Sequence, residues 1–133
     1  MADPRDPVSD VMSSGAVSVD EKLTLRSLAA VLAELDIGVA LVRRPDGSIG
    51  VASERDVVRA LADGADPEEV WVADVASDDI VFAAPDETIV AVAEQMTAEG
   101  VRHVTVVDGG AIVGVVSARD LMPILANYAR SSI

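Results

Sequence analysis

Two short segments hold the residues best suited to chemistry. Ser53, Arg55 and Asp56 stand within Gly50-Val51-Ala52-Ser53-Glu54-Arg55-Asp56, and Ser117, Arg119 and Asp120 take the same places within Gly114-Val115-Val116-Ser117-Ala118-Arg119-Asp120. Gly114 follows Gly50 by 64 residues. A Ser-x-x-Asp that closes an apolar run signals the start of a helix. The first turn of a helix offers unpaired N–H groups and a partial positive charge, which suit a phosphate or carboxylate. Each segment therefore reads as strand, tight junction and helix start, and the pair implies two anion sites. The same spacing also serves a plain capping box, in which serine and aspartate satisfy the helix end and no ligand is needed.

The rest of the composition narrows the chemistry. The chain of 133 residues carries a formal net charge of −13, which argues against nucleic acid or an anionic membrane as partner, since both bind positive surface. Against that acidic background Arg55, Arg119, Arg102 and His103 fall beside the repeated junctions. With no cysteine, disulfides and thiolate chemistry are excluded, and with one histidine a multi-histidine metal site is excluded too. No metal site and no enzyme are expected. Acidic pairs such as Glu68-Glu69 and Asp78-Asp79 read as solvated surface. The N-terminal Met-Ala-Asp-Pro-Arg-Asp-Pro lacks the basic and apolar regions of a signal peptide, and no apolar run approaches the roughly 20 residues that span a bilayer. The expectation is a soluble, cytoplasmic protein.

The elements that must position these residues repeat at the same offset. Val8-Ser9-Asp10-Val11-Met12-Ser13 returns as Val72-Ala73-Asp74-Val75-Ala76-Ser77 and opens each copy. Val17–Val19 and Ile80–Phe82 read as short strands. Leu25, Leu28, Ala29, Leu32 and Leu35 then fall on one helical face, as do Ile89, Val92, Ala93 and Met96 before Gly100. Ile37–Val42 and Ile49–Ala52, joined through Pro45-Asp46-Gly47, read as a hairpin, and Val101–Val107 with Ile112–Val116 repeat it around Asp108-Gly109-Gly110. A helix Glu54–Ala62 follows the first hairpin. Asp66-Pro67-Glu68-Glu69 suggests a short connecting helix packed down by Trp71, and Pro123 strains the last helix. With aliphatic residues in place of aromatics throughout, the class is α/β, of the α+β kind, with two β-α-β-β-α copies. The organisation expected is a flexible tail at 1–7, one repeat at 8–64, a connecting segment at 65–71 and a second repeat at 72–130.

With that order, and with Gly-Val-x-Ser-x-Arg-Asp closing each hairpin, the chain resembles a tandem pair of cystathionine β-synthase (CBS) domains, a Bateman module. The resemblance implies two repeats packed about a pseudo-two-fold axis, with clefts between them for adenosyl ligands such as AMP, ADP, ATP or S-adenosylmethionine. By that resemblance Asp56 and Asp120 accept hydrogen bonds from ribose hydroxyls, and Ser53 and Ser117 meet phosphate. Arg55, Arg119, Arg102 and His103 supply charge, while Val17, Ile37, Ile80 and Val101 form apolar walls for adenine. The first repeat has Gly38-Val39 where the second has Arg102-His103, so it lacks the basic pair. The function implied is a regulatory, non-enzymatic nucleotide sensor, a homodimer that acts on an unknown protein partner. The alternative is a ligand-free dimerisation scaffold.

Overall fold

A computed structural model describes residues 2–131. Along the chain stand β1 (Ser13–Ser14), β2 (Ser18–Asp20), α1 (Leu25–Leu35), β3 (Val39–Arg43), β4 (Ile49–Ser53), α2 (Glu54–Ala62), α3 (Val72–Val75), β5 (Phe82–Ala83), α4 (Ile89–Glu99), β6 (His103–Asp108), β7 (Ala111–Ser117) and α5 (Ala118–Ser131). Two β-α-β-β-α copies are present, β2 to α2 and β5 to α5, as the repeat requires. The fold is mixed α/β.

The chain divides into two compact units, one running from Val17 to Ile80 and the other made of the residues up to Ala16 together with those from Val81 onward. In the first, β2 runs parallel to β3 and β3 antiparallel to β4. Helix α1 starts on Thr24, whose Oγ1 accepts the Ser27 N–H at 3.2 Å, and ends on Asp36 in the left-handed region at φ 51°. Its Leu25, Leu28 and Leu32 bury against Val19, Ala40, Val42, Ala52 and Val57. In the second unit the sheet order is β1-β7-β6-β5. Helix α4, capped by Thr88 and closed by Gly100, sets Ile89, Val92 and Met96 against Val104, Val106, Val116 and Leu121. Burying one such side chain is worth roughly 1.5–3 kcal/mol.

The units are cut differently from the sequence repeats expected at 8–64 and 72–130, because the segment opening each repeat belongs to the unit whose body is the other repeat. Val8 is fully buried with Ile89 and Val92, and Val72 with Leu25 and Leu28. Matching backbone bonds hold both segments. Val72 N–H donates to Leu23 O at 2.8 Å and Val8 N–H to Glu87 O at 2.7 Å; Leu25 N–H donates to Val70 O at 2.8 Å and Ile89 N–H to Asp6 O at 3.0 Å.

Residues 2–7, expected as a loose tail, are therefore a capping segment for α4. Pro4 is buried, and its carbonyl accepts the Val90 N–H at 2.9 Å. A second correction concerns Asp66-Pro67-Glu68-Glu69, which forms a turn and not a helix. The carbonyls of Pro67 and Val70 are drawn off to cap α1, so no second turn can propagate. Trp71 is 50% exposed and does not pack that turn into the core. Pro123 lies inside α5, which continues through it.

Candidate ligand sites at the two strand–helix junctions

Each hairpin delivers a serine to the first residue before a helix, because β4 and β7 end in register with the start of their partner strands. Val39 pairs with Ser53, and His103 with Ser117. In the first unit Ser53 N–H donates to Asp56 Oδ2 at 2.8 Å, Ser53 Oγ reaches the same oxygen at 3.0 Å, and Asp56 N–H donates to Ser53 Oγ at 3.2 Å. This is a complete capping box. The second unit repeats it, with Ser117 N–H to Asp120 Oδ2 at 2.9 Å and Asp120 N–H to Ser117 Oγ at 3.3 Å.

The first helical N–H is also occupied at both junctions. Glu54 N–H donates to Gly38 O at 2.9 Å and Ala118 N–H to Arg102 O at 2.8 Å. An anion site made of open N–H groups is therefore largely closed by the protein's own carbonyl and hydroxyl. What each junction keeps for a ligand is its side chains. Among the described residues, the hydrogen bonds to Asp56 and Asp120 land on Oδ2. A carboxylate accepts about four bonds, so Oδ1 retains acceptor capacity.

The other residues singled out from the sequence distribute unevenly. Arg55 and Arg119 are exposed on the first turns of α2 and α5, and Arg102 is exposed in the bend before β6. Since Arg102 precedes the regular strand, strict face alternation with His103 does not apply to it. His103, half-buried, starts β6 directly across from Ser117. Ile37 and Val101, the expected adenine walls, bond back to α1 and α4 through Leu32 O at 3.1 Å and Met96 O at 3.0 Å, and pack on the two cores. Ile37 also lines a groove of about 260 Å³ between α1 and α2, with Leu32, Val57 and Glu54. Val17 and Ile80 are half-buried, and Val17 O accepts the Leu41 N–H at 2.9 Å.

Sequence reasoning missed the ion pair of Arg44 with Asp78 and the bridge between Ser77 and Val51, which tie residues 77–78 to the first unit's hairpin. The match of Ser13 with Ser77 was the available signal, since Ser13 in β1 pairs with Val115 just as Ser77 pairs with Val51.

Two β-α-β-β-α copies, each closing its hairpin on a serine-capped helix, define a tandem-repeat α/β module. The CBS domain model matches residues 8–63 and 72–127, and the chain belongs to that family. It is 30% identical over 122 residues to Hypoxic response protein 1 of Mycobacterium tuberculosis, covering 90% of this chain and 85% of that protein. It is 29% identical over 123 residues to protein MJ1225 of Methanocaldococcus jannaschii, covering 92% of this chain but only 44% of that relative. The solved CBS domain protein PAE2072 of Pyrobaculum aerophilum, complexed with AMP, matches with a TM-score of 0.78 at 30% identity, covering 93% of this chain and 98% of that one. No helix among the described residues is long and apolar enough to cross a membrane.

Proposed function

We propose that this CBS pair is a non-enzymatic regulatory protein that binds an adenosyl ligand of the AMP, ADP or ATP class at its strand–helix junctions. The observation that carries the reading is the pair of aspartates that each cap a helix through Oδ2; to the second carboxylate oxygen, Oδ1, we assign a ribose hydroxyl. The AMP complex of the Pyrobaculum relative supports the ligand class. Ser53 and Ser117 stand beside the phosphate, Arg55, Arg119, Arg102 and His103 supply charge, and Val17, Ile37, Ile80 and Val101 offer apolar contact. The protein acts in the cytoplasm as a homodimer and signals to a partner protein. A ligand shifts it only by the difference in its affinity for two states.

Calorimetric titration with AMP, ATP and S-adenosylmethionine tests the reading. Saturable heat with at least one is expected, and at about 100 times its dissociation constant that ligand adds roughly 2.7 kcal/mol of stability. Silence with all three overturns it.

A second reading, a ligand-free dimerisation scaffold, is favoured by apolar side chains left in solvent on α2 and α5. Val58 and Leu61 are 64% and 48% exposed, and Met122 and Tyr128 are 65% and 49% exposed.

A further inference from the structure

We infer that the segment from residue 2 to Ser14 is an exchangeable arm: besides closing the second unit of its own chain, it seats in the same way on the second unit of another copy, with Gly15 as the hinge. The inference needs no ligand.

The arm is held as a docked peptide is held, by backbone pairing and anchored side chains. Val8 is fully buried and Pro4 is buried, with Val11 and Met12 packed on the same core. Val8 N–H donates to Glu87 O at 2.7 Å, while Asp6 O and Pro4 O accept the Ile89 and Val90 N–H groups at 3.0 and 2.9 Å. Ser13 and Ser14 then pair with Val115 and Gly114 as an outer strand on β7. Removing the arm would open a cavity at Val8, leave two N–H groups of α4 without acceptors and make β7 a bare sheet edge. The second unit therefore requires an arm.

What it requires is the sequence of the arm and not the chain that supplies it. All these contacts lie within the second unit, whereas the chain from Val17 onward enters the first. A second copy offers the same residues to the same seat, so closed and exchanged arms make identical contacts. The balance between them is set by the hinge and by the concentration of copies, which makes exchange a low-cost route to a dimer. The other opening segment, residues 72–77, continues into the second unit after Ile80, so its exchange would carry a whole unit with it.

The two chain crossings are also pinned unequally. Before the second crossing Asp78 is paired with Arg44, and the Asp79 N–H donates to Ser77 Oγ at 2.9 Å. At the repeat offset the arm has Ser14 and Gly15 in place of Asp78 and Asp79, with Asp108 in place of Arg44, so that ion pair has no counterpart. The Gly15 N–H reaches Val113 O at 3.4 Å, a long bond. Gly15 is exposed and left-handed at φ 72°, and a Cβ there would meet no atom of the described residues within 4 Å. A side chain at this position has room, and only the backbone angle of the seated arm opposes it.

A chain without cysteine makes the test direct. Ser13→Cys and Val115→Cys in one chain should close an internal disulfide on oxidation, since the two positions pair across β1 and β7. The two single variants are then mixed in urea, refolded together at high micromolar concentration and oxidised. Concentration matters because a short hinge gives each chain's own arm an effective concentration in the millimolar range. The expected product is a disulfide joining one Ser13→Cys chain to one Val115→Cys chain, in clear excess over the yield from Val115→Cys mixed with Ser48→Cys, an exposed position in the first hairpin's turn. Gly15→Val should shift the ratio of exchanged to closed arms roughly tenfold, the scale of the left-handed penalty on a residue other than glycine. A dimer formed through helix faces alone leaves each arm in its own chain and gives no such excess. Absence of the excess, or a yield that Gly15→Val does not raise, overturns the inference. Failure of the double variant to close its internal disulfide overturns it as well, by removing the seat of the arm.

Discussion

The carbonyl oxygen of Ser13 lies 2.6 Å from where a Cβ on Gly114 would stand. Only a glycine lets β1 come that close to β7. The relation recurs in the other unit, where Ser77 O lies 3.0 Å from the Cβ position of Gly50. The glycine of each Gly-Val-x-Ser motif therefore has a structural task, to admit the segment that opens the opposite repeat. Neither glycine needs a ligand to explain it.

Gly114→Ala is accordingly expected to destabilise the protein by about 2–3 kcal/mol, near the upper end for overpacking, because backbone and the Met12 sulfur at 2.7 Å both stand in the way. Gly50→Ala should cost less, about 1 kcal/mol, since its nearest obstacle is the Arg44 guanidinium, the far end of a flexible side chain. Urea midpoints of the two variants decide this, and equal losses would remove the backbone argument.

The capping role makes its own prediction. Ser53→Ala and Ser117→Ala should each lower unfolding stability by about 1 kcal/mol, the usual worth of a serine N-cap. Asp120→Asn keeps a side-chain oxygen for the Ser117 N–H and should cost only a few tenths of that scale. A large loss of AMP affinity in this folded variant would assign Asp120 a task beyond capping. Unchanged affinity would leave it a cap alone.

The hairpins and helices were legible because each is a local pattern, with Leu25, Leu28 and Leu32 at helical spacing and Ser53 and Ser117 at the ends of apolar runs. The crossing of the opening segments was not, since it depends on pairings between residues far apart, such as Ser13 with Val115. Composition misled at residues 2–7, where two prolines and alternating charge suggested disorder. Pro4 and Pro67 play matching parts, the Pro4 carbonyl accepting the Val90 N–H of α4 and the Pro67 carbonyl the Arg26 N–H of α1. At the junctions the sequence left capping and ligand binding open. The distances establish the cap.

Pro123 offers a prediction free of any ligand. It is the sixth residue of α5, so its ring takes one N–H donor out of the helical hydrogen-bond ladder. The corresponding position in α2 is Arg59, which keeps that bond available. Pro123→Ala should stabilise the chain by roughly 1–3 kcal/mol in thermal or urea unfolding. No gain would mean that the helix already compensates for the proline.

Val58 and Met122 lie 64 residues apart, at the same place on α2 and α5, and are exposed to nearly the same degree. An exposed position tolerates aspartate within about 0.5 kcal/mol, so Val58→Asp and Met122→Asp should unfold at near wild-type temperatures if the chain works alone. If these faces meet a second copy, each charge is buried without a partner, a cost of several kcal/mol that the dimer must bear. We expect both variants to stay folded by circular dichroism and to become monomeric by light scattering at micromolar concentration. A wild-type chain already monomeric there, or variants of unchanged mass, would remove dimerisation through α2 and α5.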